Sequence, residues 1–206
     1  MIYLYDSIKN YISGKRYDHT IGVERECRRL AEIYGLSQAD TDRLRIAGLL
    51  HDITKEVDFD GQLKLCEKYN IEYDPILLTT PQLFHAVTGA EAARDDFARI
   101  VDDTVYNAIR CHTTGRENMN IIDKLLLLAD YIEETRKFKN CVKLRKYFYN
   151  KVNKDNLMEL LDETLIMSFN MTIKVLIKRD GIIDIQTVKS RNFLLTEKLE
   201  SCYTNE

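Results

Sequence analysis

Apolar residues recur at i, i+3 and i+4 through nearly every segment of this chain, the spacing that turns one face of an α-helix toward a core. The pattern predicts helices near residues 2–13, 18–34, 38–53, 60–69, 83–97, 102–112, 121–136, 142–150, 155–179 and 188–201. No segment alternates apolar and polar residues over the length a strand needs, so the expected class is all-α. Two prolines and eight glycines are all that interrupt the 206 residues. Gly35 marks the predicted stop of the second helix, and Ser37 with Asp40 forms the S-x-x-D signature that opens the third. The stretch from Pro75 to Pro81 is the least regular connection. With no repeats, low-complexity tracts or long linker, residues 1–206 are expected to form one domain.

Several polar residues break the apolar faces. In "LLHDITKE", residues 49–56, His51 and Asp52 follow a face formed by Leu44, Ala47, Gly48 and Leu50. Asp130 follows "KLLLLA", and His19 opens a segment whose next turns carry Ile21, Val23, Cys27 and Leu30. A buried histidine satisfied by a nearby carboxylate would explain any one of these. An unpaired buried charge is costly, and a bound cation would neutralise the carboxylates and order the imidazoles together. The chain has only four histidines, His19, His51, His85 and His112, and none lies in the last 94 residues.

Composition narrows the choice. With 30 basic against 33 acidic residues and a net charge of -3, the chain has no footprint for general nucleic-acid binding. Its longest uncharged apolar run, Leu125 to Ala129, is far short of the roughly 20 residues that span a bilayer. No basic segment followed by an apolar one opens the sequence, so a soluble, cytoplasmic protein is expected. Cys27, Cys66, Cys111, Cys141 and Cys202 contain no C-x-x-C pair and are read as reduced, mostly buried thiols.

The order H…HD…D, here His19, His51-Asp52 and Asp130, resembles the signature of HD-domain metal-dependent phosphohydrolases, which are all-helical. Two further strings, "HTTGRENM" (112–119) and "DKLLLLADYIEETRKF" (123–138), are similar to the bacterial HD-domain enzymes that hydrolyse diadenosine tetraphosphate symmetrically to two ADP. The likeness runs from about Arg16 through Arg191 and departs at Glu134 and Thr135, where the family usually carries proline and glycine. It implies a helical HD-domain bundle with the metal site at its centre. The metal-ligand core would span about 16–140, and C-terminal helices at about 141–201 would complete a nucleotide pocket. His19, His51, Asp52 and Asp130 would hold a first ion, with Asp52 bridging to a second on His85 and His112. The competing role for His85 and His112 is a phosphate contact.

Nitrogen and oxygen ligands with positions left for water suit iron, manganese, cobalt or nickel better than a closed zinc site. Iron is expected from the resemblance alone. Asp52, Lys55, His85 and His112 are the expected catalytic groups, working with metal-activated water rather than a side-chain nucleophile. Arg16, Lys55, Arg116 and Arg136 are candidate clamps for the phosphates, with Asp130 beside them, and Thr113, Thr114 and Gly115 offer hydroxyls or backbone N–H groups. Thr172, Ile173, Leu176 and Ile177 are candidate contacts to adenine and ribose, with Tyr17 and Tyr131 as stacking partners. The expected partner is a small dinucleoside polyphosphate, with no membrane and no general nucleic acid; a homodimer is compatible with the sequence. Two rival readings remain. "HDITK" resembles the HD-I-G-K segment of cyclic-dinucleotide phosphodiesterases, but the H-H-E and G-Y-P elements are missing. A non-catalytic nucleotide sensor would have little use for a complete ligand set with open coordination.

Overall fold

The computed structural model describes residues 2–73 and 75–203 and contains no strand among them. In chain order the helices are α1 (Ile2–Ser7), α2 (Gly14–Ile33), α3 (Gln38–Leu50), α4 (Phe59–Lys68), α5 (Pro75–Thr79), α6 (Phe84–Asp96), α7 (Asp103–Cys111), α8 (Ile121–Ile132), α9 (Lys139–Lys151), α10 (Leu157–Lys178) and α11 (Ile185–Tyr203). The all-α expectation holds, and every predicted helix has a counterpart. The differences lie at the ends. α2 starts at Gly14 instead of residue 18, which moves His19 from the first turn into the second. α3 stops at Leu50, so His51 and Asp52 sit in the turns that follow it. α8 stops at Ile132, four residues before the predicted end, because Glu133 takes an extended backbone with ψ 152°. The irregular Pro75 to Pro81 stretch contains the short α5.

Helix starts follow local chemistry. The Ser37 side chain accepts from Asp40 N, 3.1 Å, at the head of α3, as the S-x-x-D signature predicts. Asn120 and Asp123 form a reciprocal capping box on α8. At the other end of α2, the Leu36 N–H donates to Ala31 O, 3.0 Å, closing the helix around Gly35.

α8 is buried continuously from Ile122 to Ala129, as a helix apolar almost all round must be. It packs against α2, α3 and α7, and those three also pair among themselves through α2 with α3 and α3 with α7. α6 closes one side against α7, and α10 lies over α8 and α9 with α11 beside it. The interior is built from Val23, Leu30, Leu44, Leu50, Ile109, Leu125 and Leu128, all fully buried. The ligand-bearing segments thus all end at one polar patch inside the bundle. On α10 the buried positions run from Leu160 to Phe169 and then stop, leaving the last turns half-buried or exposed. No described helix is long and apolar enough to cross a membrane. Cys27, Cys66, Cys111 and Cys141 are buried and free; the Cys202 side chain lies outside the described residues.

In the turn after α7, Gly115 packs closely against the C-terminal helices. Gly115 has φ +66°, and a Cβ there would lie 2.8 Å from the Phe169 ring and 3.0 Å from Ser190. Gly35 has a similar φ of +60° with open space around it. Gly35→Ala should therefore cost only the left-handed strain, about 1–2 kcal/mol. Gly115→Ala should cost that plus about 1–3 kcal/mol of overpacking. Urea unfolding of the two variants measures the difference; equal losses would mean that the turn does not clamp α10 and α11.

Candidate metal centre

The end of α3 is drawn into the core by Leu44, Ala47, Leu49 and Leu50. The chain then folds into tight turns, with Ile53 N–H donating to Leu50 O (3.3 Å) and Lys55 N–H to Asp52 O (2.9 Å). This aims both His51 and Asp52 inward. Behind them, the Thr54 hydroxyl donates to His85 O at 3.1 Å, and Gln62 Nε2 donates to Thr54 O at 2.6 Å. Thr88 on α6 donates in turn to Gln62 Oε1, 2.6 Å. A buried polar network therefore docks the His-Asp turn against the start of α6, which carries His85.

The six predicted ligands meet around Asp52. Its Oδ2 lies 3.4 Å from His51 Nε2 and 3.8 Å from His19 Nε2; its Oδ1 lies 3.2 Å from His85 Nε2 and 3.7 Å from His112 Nε2. Asp130 Oδ1 completes the Oδ2 side, 3.0 Å from His19 Nε2 and 3.8 Å from His51 Nε2. Three overlapping triads result: His19-His51-Asp52, His51-His112-Asp130 and Asp52-His85-His112, with the ligand atoms of each within 4.8 Å of one another. Neighbouring ligands held about 2.1 Å from one ion stand about 3.0–3.4 Å apart, so these separations suit metal coordination.

Each imidazole is turned the same way. Nδ1 of His51 donates to Gly48 O (2.8 Å), that of His85 to Gln82 O (2.7 Å) and that of His112 to Ile109 O (2.6 Å). A carbonyl can only accept, so Nδ1 carries the proton and Nε2 presents a lone pair inward. His19 achieves the same through Glu133 Oε1, 3.0 Å from its Nδ1. Nε2 of His19 and of His51 is buried without any hydrogen-bond partner; the 3.0 Å approach of His19 to Asp130 lacks hydrogen-bond geometry. Buried ring nitrogens left in that state fit a cation as their missing partner.

Glu133, fully buried, is a residue that the sequence reading passed over. Thr135 holds it with both its N–H (2.7 Å) and its hydroxyl (2.6 Å). A side chain at Gly22 would collide with Glu133, since a Cβ there would lie 2.3 Å from Oε2. Arg145, on α9, donates to the carbonyls of Ile132, Glu133 and Arg136 and so fixes the turn that carries Glu133 and Arg136. Glu134 and Thr135, where family members usually carry proline and glycine, thus still support a closed turn, with Arg136 N–H donating to Glu133 O at 3.2 Å.

Burial favours neutral groups, yet both carboxylates stay ionised. For Asp52 burial pushes the carboxyl up, but in the metal-free chain the pull of His51, and of Nε2 protons on His112, His51 and His85 when they carry them, holds its pKa well below the usual range. For Asp130, Arg136 and His19 do the same. Burial pushes His85 down to about 4, keeping it neutral as a ligand must be. Burial also pulls on His19, but the carboxylates of Asp130 and Glu133 prevail and raise it to about 9 in the metal-free chain.

Three of the candidate clamps surround this cluster. Arg16 Nη1 is 2.7 Å from Asp52 Oδ2, Arg136 Nη2 is 2.5 Å from Asp130 Oδ1, and Lys55 Nζ is 3.0 Å from His85 Nε2. They line a cavity of about 430 Å³ that opens from His19 and also holds Lys15 and Phe138. Arg116 is engaged elsewhere, with its guanidinium on the buried Asp123 at 2.6 and 2.9 Å. Thr113 and Thr114 line a separate 190 Å³ cavity with Arg110 and Gln186, while Gly115 packs on Phe169 and Ser190. On α10, the Thr172 side chain interacts with that of Tyr131 on α8, Ile173 and Leu176 are half-buried, and Ile177 is exposed. Tyr17 borders a separate 530 Å³ cleft along α2, with Arg25 and Arg29.

Comparison with known proteins agrees with this geometry. Residues 16–135 match the family described as HD domain. A Halalkalibacterium halodurans protein named "Bis(5'-nucleosyl)-tetraphosphatase, symmetrical" is 34% identical over 93% of this chain and 95% of its own. A Bacillus subtilis protein of the same name is 29% identical over 92% and 94%. The crystal structure of a "predicted HD superfamily hydrolase involved in NAD metabolism" from Clostridium acetobutylicum superposes with a TM-score of 0.82 at 34% identity, covering 94% of this chain and 96% of that one. The inward-facing imidazoles and these full-length likenesses lead to one conclusion: the chain belongs to the HD-domain family of hydrolases, alongside relatives that carry the name symmetrical bis(5'-nucleosyl)-tetraphosphatase.

Proposed function

We propose that this protein hydrolyses dinucleoside tetraphosphates, diadenosine tetraphosphate foremost, at the central bridge to give two nucleoside diphosphates. The observation that carries the reading is the double face of Asp52, with Oδ2 toward His19 and His51, which Asp130 also approaches, and Oδ1 toward His85 and His112. In this reading His19, His51, Asp52 and Asp130 would hold one ion, and Asp52, His85 and His112 would hold a second. Nitrogen and oxygen donors suit iron, manganese, cobalt or nickel alike, and iron is chosen among them on the family likeness alone. When bound, such ions supply activated water at neutral pH and polarise phosphoryl oxygens.

The chain's own residues then handle charge. Arg16 and Arg136 are guanidiniums whose forks match phosphate as well as carboxylate, so both can receive the tetraphosphate as it enters the cavity. Lys55 is half-buried, and burial lowers its pKa; in this reading it donates to the oxygen of the leaving diphosphate. The Thr113–Gly115 turn and the Thr172–Ile177 side of α10 are assigned to the half of the substrate that extends beyond His112. A diffusible anionic substrate, a balanced surface and the absence of a described membrane-crossing helix fit a cytoplasmic enzyme.

If each half is measured as a nucleoside with two phosphates, diadenosine tetraphosphate gives only ADP, and diadenosine pentaphosphate gives ADP plus ATP. Separation of nucleotides after partial digestion tests this, and early AMP with ATP from the tetraphosphate would overturn it. Arg136→Ala should keep helicity and bound metal while lowering kcat/KM about 100-fold, since it removes a charge partner of the transition state and not a ligand. Unchanged kinetics would leave Arg136 as a counter-charge for Asp130 alone.

A further inference from the structure

Among the side chains around the 430 Å³ cavity, Phe138 stands apart. It is 72% exposed, while Lys15, Arg16, Lys55, Arg136 and Glu56 around the same space are charged. An aromatic ring left in water at the mouth of a cationic cavity gains by covering its face with another flat apolar group. The backbone that carries it is held in place, with Val142 N–H donating to Phe138 O at 3.0 Å. Phe138 lies two residues after Arg136, which is anchored to Asp130, and Arg145 pins the Arg136 carbonyl at 3.0 Å. Beyond the ring the positive charge continues, since Lys137, Lys139, Lys143 and Lys146 border a neighbouring 490 Å³ cleft along α9. A chain of net charge -3 has therefore gathered cations on both sides of one exposed ring.

Resting on the dinucleotide reading above, we propose that Phe138 is the stacking platform for the base of the nucleoside diphosphate half that leaves the metal centre through this cavity. Arg16 and Arg136 meet the phosphates nearest the ligands, Lys15 meets the outer part, and the ring takes the base. Stacking on an aromatic face is tolerant of base identity because every base has a π-face. Guanine should thus be accepted alongside adenine at this position. The platform also gives the cavity a reason to prefer a nucleotide over bare polyphosphate.

The chain contains no tryptophan, which provides a direct readout. Phe138→Trp installs a single tryptophan, excitable selectively over the twelve tyrosines, at an exposed position that tolerates the larger ring. In the metal-loaded protein, ADP and GDP should quench its emission saturably, while pyrophosphate, which has no base, should quench it at most weakly. Phe138→Ala should keep its fold by circular dichroism and lose about 5- to 100-fold in kcat/KM for diadenosine tetraphosphate, the range for one stacked base. Emission unmoved by ADP, or moved equally by pyrophosphate, would overturn the platform, as would an unaffected Phe138→Ala enzyme. Failure of the underlying reading looks different: the unsubstituted protein would release AMP and ATP, or nothing, whatever the fluorescence reports.

Discussion

A carboxylate buried among four imidazoles needs a reason to stay charged, and Asp52 is that carboxylate. It is almost wholly excluded from solvent and every near neighbour on its two oxygens is a ring nitrogen or the Arg16 guanidinium. Isolated, such a group would neutralise or drive the surrounding helices apart. The interruption of α3 at Leu50, the Thr54-Gln62-Thr88 network and the convergence of α2, α6, α7 and α8 hold this carboxylate among those imidazoles.

The histidines are held by one repeated device. In three of them Nδ1 donates to the carbonyl three residues earlier, so the backbone of the same segment sets the tautomer. His19 lies inside α2, where that carbonyl is used by the helix, and it relies on Glu133 from a distant part of the chain. The cost of burying Glu133 is offset by Thr135 and His19, whose hydrogen bonds lower its pKa despite burial. Arg145 then ties this arrangement to α9. The cations Arg16 and Arg136 balance the carboxylates in the free protein and stand in the cavity through which a phosphate chain would arrive.

Much of this was legible in the chain because it broke a pattern. His51, Asp52 and Asp130 are polar groups at the ends of strongly apolar faces, and the helices that carry them follow from periodicity. Glu133 was not legible. It sits in a Glu-Glu pair just past a helix end, where an acidic residue usually faces water, and its burial depends on tertiary partners, His19 and the close approach of Gly22. Arg145 was hidden for the same reason, within the basic run "KLRK" that reads as a solvated helix face. Phe138 could be seen but not placed, since an aromatic among lysines says nothing about which cavity it borders. Arg116 shows the converse: its charge suggested phosphate, and the fold gave it Asp123. Helix ends were missed where tertiary contacts decide them, as at Glu133, whose extended backbone stops α8 early.

In the proposed reading, the Asp52 carboxylate is shared by the two candidate ligand sets, and that sharing is what would join fold and chemistry. Its role can be read directly by reconstituting metal-free protein with Mn²⁺ and recording low-temperature electron paramagnetic resonance beside elemental analysis. A carboxylate held in common should give two ions per chain and an exchange-coupled spectrum that collapses to an isolated-ion signal in Asp52→Ala. A single ion per chain, or two ions with independent spectra in the unsubstituted protein, would contradict the bridging role of Asp52.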